Sequence, residues 1–200
     1  MTNRFATTGI ILAGGKASRM GGVDKGLLEL AGRPMLAHII ERLRPQTQAL
    51  IVNANRSHPL YAVHGLPVVA DATADYPGPL AGMAAGLAAM STDWAVTVPC
   101  DSPLVPPDLV SRLWAALQAE DAELAVAFSA GRLQPVFALL PRCLLPSLQA
   151  YLAAGDRKIA LWYRRHRMAQ ADFSDCPDAF VNVNTLAERD GLQARMAAGN

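Results

Sequence analysis

Cysteine is scarce and arranged to little purpose. Cys100, Cys143 and Cys176 are odd in number, widely spaced, and form no Cys-x-x-Cys pair. Neither a disulfide framework nor a structural zinc site can be built on them, so they read as reduced thiols. Long hydrophobic runs are missing too: nothing approaches the roughly 20 apolar residues that span a bilayer. Residues 1–8 lack the charged-then-apolar order of a signal peptide. A cytoplasmic protein independent of membranes is expected. Charge of one sign is not in excess, because 18 Lys and Arg nearly cancel 17 Asp and Glu to leave +1. No overall field gathers nucleic acid or an anionic surface, so any anion site must be local. Nothing repeats at a fixed period, and no Gly- or Ser-rich linker divides the chain. The four histidines, His38, His58, His64 and His166, show no ligand spacing. One domain over residues 1–200 is expected, and with 52% apolar residues it can bury roughly 70% of its unfolded surface.

What is present is an alternation of short strands and amphipathic helices. An apolar run at 8–12 stops at Gly14-Gly15, as a buried strand entering a glycine loop would. Pro34 then opens a helix with Leu36, Ile39, Ile40 and Leu43 at helical spacing, closed by Pro45. Residues 49–53 and 67–71 read as strands, 78–90 as a helix, 94–98 as a strand, 106–119 as a helix and 124–128 as a strand. Only residues 129–132 separate that strand from the next, at 133–140. A parallel pair needs a crossover of a dozen or more residues, so these two should be antiparallel. A helix at 144–153, a basic stretch at 157–167, a short strand at 180–183 and a terminal helix from Thr185 complete the chain. This order predicts an α/β fold of three layers: a mostly parallel, Rossmann-like sheet with one antiparallel strand and helices on both faces. Ligands belong at the carboxyl ends of its strands.

The strongest local signal is Leu12-Ala13-Gly14-Gly15-Lys16-Ala17-Ser18-Arg19-Met20-Gly21-Gly22-Val23-Asp24-Lys25. Four glycines let backbone N–H groups turn toward a ligand, while Arg19 and Lys25 bring cations to the same loop. That suits a triphosphate, although a glycine turn with solvated cations has the same composition. Gly-x-Gly-x-x-Gly is absent and no Gly-Lys precedes Ser or Thr, which removes the dinucleotide and P-loop readings. Asp101, in Pro99-Cys100-Asp101-Ser102-Pro103, stands just past a strand. It is a sufficient single anchor for Mg²⁺, which fills its other positions with phosphate and water; a turn-forming Asp is the alternative. Cys100 beside it lacks an activating neighbour and reads as a buried filler. Asn53 and Asp71 end two strands and could meet guanine N–H donors or ribose hydroxyls, or serve as caps. Gly82 lies near the start of a helix, a natural anion site, where tight packing explains small residues equally well. Asn182 and Asn184 share one face of an alternating segment and could hold a second substrate or the metal, unless Asn184 or Thr185 only caps the terminal helix. Arg157, Lys158, Arg164, Arg165 and Arg167 could bind an anionic acceptor or form a solvated helix face.

Taken in order, the glycine loop through Asp24-Lys25-Gly26, Pro99-Cys100-Asp101 and Asn182-Val183-Asn184-Thr185 resemble the molybdenum cofactor guanylyltransferase family, of nucleotide-diphospho-sugar transferase-like architecture. The stretches Val52-Asn53-Ala54-Asn55-Arg56, Gly78-Pro79-Leu80-Ala81-Gly82 and Gln134-Pro135-Val136-Phe137-Ala138-Leu139 extend the likeness over nearly the whole chain. The resemblance implies a cytoplasmic enzyme that uses Mg²⁺, or Mn²⁺ in its place, to link GMP from GTP to molybdopterin. It places Leu12, Ala13, Gly14, Gly15, Lys25, Asn53, Asp71 and Asp101 on GTP, with Asp101 also on the metal. Arg19, Lys25 and Asp101 become the catalytic set, and Gly22, Gly82, Asn182 and Asn184 face the acceptor. It also implies transient contacts with molybdenum-insertion proteins and apo-molybdoenzymes. Related readings are a CTP-dependent enzyme acting on molybdopterin, a transferase acting on a sugar phosphate, or a GTP-binding regulator without turnover. Retention of both Lys25 and Asp101 speaks against the last.

Overall fold

The computed structural model describes residues 6–14, 24–72 and 78–198. In chain order these form β1 (Thr7–Leu12), β2 (Glu29–Leu30), β3 (Arg33–Pro34), α1 (Met35–Leu43), β4 (Ala49–Asn53) and α2 (His58–Ala62). Then follow β5 (Val68–Val69), α3 (Pro79–Ala89), β6 (Trp94–Pro99), α4 (Leu109–Ala119), β7 (Leu124–Ser129) and β8 (Arg132–Pro141). The chain ends with α5 (Leu145–Ala153), α6 (Ile159–Tyr163), β9 (Met168–Asp172) and α7 (Leu186–Ala197). Seven strands make one sheet in the order β5-β4-β1-β6-β8-β7-β9, with β2 and β3 forming a separate small hairpin. Every pairing in the large sheet is parallel except those of β8 with β6 and with β7. The expected α/β class, and its one antiparallel strand, are therefore present. Ala130 and Gly131, with φ of 51° and 73°, supply the two left-handed positions that a tight two-residue hairpin between β7 and β8 demands.

Strand side chains alternate between two apolar layers, as period-two geometry requires. Ile11, Val52, Val96, Val98 and Ala125 face one layer, where Leu36, Ile39 and Leu43 of α1 meet Leu109 and Leu113 of α4. Ile10, Leu12, Ile51, Ala95 and Val126 face the other, covered by α3, α5 and α6 through Met83, Leu87, Leu148, Tyr151 and Trp162. Gly86 lets α3 lie directly on β1: a Cβ there would come 2.6 Å from Ile10 Cδ1. Full burial of each large aliphatic chain contributes roughly 1.5–3 kcal/mol, so these two layers dominate the favourable side of folding. A third, small cluster of Leu30, Met35, Val183 and Leu192 fastens α7 beside the β2–β3 hairpin. No helix among the described residues is long and apolar enough to cross a membrane.

Two expected strands differ in the structure, and the β2–β3 hairpin, α2, α6 and β9 were not expected. The strand expected at 180–183 is instead a 3-10 turn, Pro177–Phe180, followed by extended chain whose Val183 N–H donates to Asp101 O at 2.8 Å. The alternation of apolar and polar residues was real, but its backbone bonds go to a loop rather than a ladder. The missing strand lies upstream as β9, paired in parallel with β7 from Leu124↔Met168 to Phe128↔Asp172. The strand expected at 67–71 is ordered as a ladder only at Val68–Val69, where β5 pairs with β4.

Candidate active site

Four parallel strands, β5, β4, β1 and β6, deliver their carboxyl ends side by side, and the hydrogen bonding continues past the strands. Ala13 N–H donates to Asn53 O at 2.8 Å, Ala54 N–H to Val69 O at 2.9 Å, and Cys100 N–H to Leu12 O at 3.0 Å. Leu12, Ala13, Gly14, Asn53, Asp71 and Asp101 therefore rim one crevice. Of the residues assigned from sequence, Gly15, Arg19 and Gly22 lie outside the described residues.

At one end of the crevice the Asp71 carboxylate is held by two amides. Asn53 Nδ2 donates to Asp71 Oδ1 at 2.9 Å and also to Val69 O at 3.2 Å. Asn55 Nδ2 donates to Asp71 Oδ2 at 2.8 Å, and Asp71 N–H returns a bond to Asn55 Oδ1 at 2.8 Å. Each carboxylate oxygen keeps acceptor capacity beyond its amide bond. Asn55 is a site residue that the sequence reading did not assign; its spacing of two from Asn53 is the signal that points to it. Gly14 and Gly82 make room for this group. A Cβ on Gly14 would stand 3.1 Å from Asn53 Oδ1 and 3.2 Å from Asn55 Nδ2. On Gly82 it would stand 2.2 Å from Asn53 Oδ1, closer than any real contact. Gly82 thus adjoins Asn53 and Leu12.

At the other end, Lys25 Nζ donates to Asp101 Oδ2 at 2.9 Å and to Asn184 Oδ1. Lys25 and Asp101 are only partly exposed, at 29% and 15% of their side chains. The 182–184 segment is sewn to the Asp101 turn by the Val183 bond above and by Ser102 Oγ, fully buried, which donates to Asn182 Oδ1 at 2.6 Å. Asn184 is fixed in turn by a capping box at the start of α7: Glu188 accepts from Asn184 N at 2.6 Å and Thr185 N at 2.9 Å, while Thr185 Oγ1 accepts from Glu188 N at 3.1 Å. These bonds, that from Asn184 N first, hold the Glu188 carboxyl below its ordinary value. Thr185 caps the helix, as one reading allowed, while Asn184 points its amide oxygen at Lys25.

Next to Lys25 in sequence is a buried polar cluster that sequence reasoning missed. Asp24, 3% exposed, accepts from Arg56 Nε, and the Tyr61 hydroxyl and Cys100 lie close by around Gly26. Burial, then the neighbouring Asp101 charge, pushes the Cys100 thiol up to about 12, so it stays protonated and is the filler expected. A Mg²⁺ ion fits the donors present. Asp101 offers one hard carboxylate with the Asn184 amide oxygen nearby, and among the described residues no group of three or more His, Cys, Asp or Glu converges. Such an ion must bring most of its ligands with it as phosphate and water. Three residues of the basic stretch make local contacts: Arg157 donates to Leu152 O and Asp156 O, Arg165 lies over the Tyr151 ring, and Arg167 donates to Asp121 O.

Residues 9–171 match the family model described as the MobA-like NTP transferase domain. A molybdenum cofactor guanylyltransferase of Shewanella loihica is 50% identical over 188 residues, covering 94% of this chain and 96% of that protein. One from Cupriavidus metallidurans is 49% identical over the full length of both. Among solved structures, molybdopterin-guanine dinucleotide biosynthesis protein A of Archaeoglobus fulgidus shares the fold at a TM-score of 0.79 and 18% identity, covering 96% of this chain and 99% of its own. A CMP:2-keto-3-deoxy-manno-octonic acid synthetase complexed with CTP aligns at 0.74 and 14%, over 98% and 100%. With its sequence matched at about half identity from end to end, and a crevice of glycine backbone, lysine, carboxylate and amides at the strand ends, the chain belongs to the molybdenum cofactor guanylyltransferase family and is a nucleotidyltransferase.

Proposed function

We propose that this chain transfers GMP from GTP to molybdopterin, releasing pyrophosphate and forming the guanine dinucleotide cofactor in the cytoplasm. The observation that carries the reading is the bridge from Lys25 Nζ to both Asp101 and Asn184. It joins a phosphate-binding cation, a metal-binding carboxylate and an acceptor-side amide at one point. The relatives' names supply guanine and the molybdenum cofactor.

In this reaction the acceptor's terminal phosphate attacks the α-phosphorus of GTP in line, and the bond to the leaving pyrophosphate breaks. A phosphate nucleophile is already ionised near neutrality, so no protein base is needed. The chain's work is positioning and neutralising charge. Asn53, Asn55 and Asp71 receive the nucleoside, the Asp71 oxygens accepting from guanine or ribose donors. The backbone of Leu12, Ala13, Gly14 and Gly15 borders the nucleotide, with the glycine N–H groups toward the phosphates because that of Ala13 is taken by Asn53 O, and Lys25 and Arg19 offset the phosphate charge. Gly82 serves by leaving space for Asn53; Gly22, Asn182 and Asn184 meet the pterin side. Asp101 would hold Mg²⁺, or Mn²⁺, which supplies charge neutralisation on the phosphates. Molybdenum-insertion proteins and apo-molybdoenzymes are the transient partners this product calls for.

The test is anaerobic pyrophosphate release from GTP, CTP, ATP and UTP with Mg²⁺, each with and without molybdopterin. Release that requires GTP and pterin together is expected. Preference for CTP would move the base assignment, and release only with a sugar phosphate would replace the acceptor.

A further inference from the structure

Asp24 is a buried carboxylate immediately before Lys25, and nothing in the reaction above uses it. One oxygen accepts from Arg56 Nε; the other, Oδ2, is buried with no hydrogen-bond partner among the described residues. The Tyr61 hydroxyl is buried in the same compartment, also without a partner among the described residues. Its pKa is raised first by burial and further by the nearby Cys100 and Asp24, so it remains protonated. A carboxylate this buried is unfavourable unless its charge is compensated. Its placement is therefore informative. Arg56 stands three residues past Asn53 and one past Asn55, and is 43% exposed, so the pair ties the loop after β4 to the chain that carries Lys25. Two further bonds stiffen that chain: Leu27 N–H to Asp24 O at 2.9 Å and Leu28 N–H to Lys25 O at 3.1 Å.

We propose that Asp24 and Arg56 form a positioning strut that sets Lys25 at a fixed reach from the Asn53–Asn55–Asp71 group, so that one nucleotide meets both ends of the crevice at once. This rests on the nucleotidyl-transfer reading of the site. Asp24 acts through Lys25 and touches neither substrate. A displacement of about 1 Å of a group that must meet a phosphate can cost up to about a hundredfold in rate.

The test is a double-mutant cycle of Asp24→Asn, Lys25→Ala and the two combined, reading kcat, the KM values for GTP and pterin, and the melting temperature. Asp24→Asn is expected to lower kcat/KM for GTP between about ten- and a hundredfold, with the pterin KM within about twofold. In the Lys25→Ala background it should add nothing further, because the residue it positions is gone. Arg56→Lys keeps a cation beside the buried carboxylate and so folds where Asp24→Asn fails to; it should show a milder version of the same GTP-specific loss. Multiplicative losses, or a lowered melting temperature with wild-type kinetics in both Asp24→Asn and Arg56→Lys, would overturn the strut. Wild-type turnover and GTP binding in Lys25→Ala would overturn the site reading itself, and the strut with it.

Discussion

Substituting Ala for Gly82 tests whether the Asn53 amide is held as firmly as its contacts imply. In an open helix interior Gly→Ala stabilises by about 1 kcal/mol. At Gly82 the new Cβ would stand 2.2 Å from Asn53 Oδ1, 2.8 Å from its Cγ and 3.0 Å from Leu12 Cδ2. The Asn53 side chain cannot simply turn aside, because its Nδ2 is committed to Val69 O and Asp71 Oδ1 and the residue is 2% exposed. Breaking both bonds forfeits about 1 kcal/mol each and strands a buried polar group for about 1–3 more. Set against the helix gain, the net loss is about 2–4 kcal/mol, or a fall in melting temperature of roughly 4–16 °C for a chain of this size. Whatever structure survives has lost the Asn53–Asp71 bond, so the GTP KM should rise about fivefold or more. Gly191 is the matched control: it is interior to α7 and a Cβ there meets nothing within 4 Å, so Gly191→Ala should raise stability. Thermal unfolding of both variants with GTP kinetics decides the matter. Wild-type melting and GTP KM in Gly82→Ala would show that Asn53 is not pinned and refute this account of the nucleoside end.

Asp101→Asn preserves volume and leaves an acceptor for Lys25 but removes the charge; turnover should fall about a hundredfold or more, with the melting temperature close to wild type. Equal rates in an Mg²⁺ titration would remove Asp101 from the metal. Thiol-specific labelling of the folded protein should modify the exposed Cys143 readily and leave Cys100 untouched, since burial holds its thiol up at about 12; prompt labelling of Cys100 would contradict the packing around it. The Glu188 carboxyl is held below its ordinary value of 4.5, so it favours the folded state above that pH and the contribution is lost as pH falls through its lowered value. Wild type should therefore exceed Glu188→Gln in stability at neutral pH, with the gap closing as the pH falls through the lowered value of the carboxyl. A gap independent of pH would mean that the carboxylate form is not what caps α7.

Much of the fold was legible because its strands are short β-branched runs cut off by Gly, Pro or Asp, and its helices carry regular apolar spacing. Met168–Asp172 was not legible: Met-Ala-Gln-Ala-Asp contains no β-branched or aromatic residue, and its strand conformation comes from pairing with β7. Residues 180–183 misled for the opposite reason. Their alternation buries Val183 and offers Asn182 to Ser102, but the partner is a turn, and no local pattern distinguishes the two. In the site, residues at strand ends could be foreseen because a parallel sheet assembles its ligands there. The Asp24–Arg56 pair could not, since it joins positions 32 apart and only the folded loop reveals that Asp24 points inward. The Thr185-x-x-Glu188 capping box was written in the sequence, and its consequence for Asn184 emerges only once Lys25 is seen to face it.

The central claim is guanylyl transfer, and its most direct measurement follows the α-phosphorus. GTP labelled at the α-phosphate is incubated anaerobically with Mg²⁺, molybdopterin and the protein, and the label is traced by chromatography and mass. The account predicts label in a pterin product heavier by one GMP unit, formed in step with pyrophosphate and absent with Asp101→Asn. Label that remains in GTP although GTP binds, or that appears only as free GMP, would contradict it.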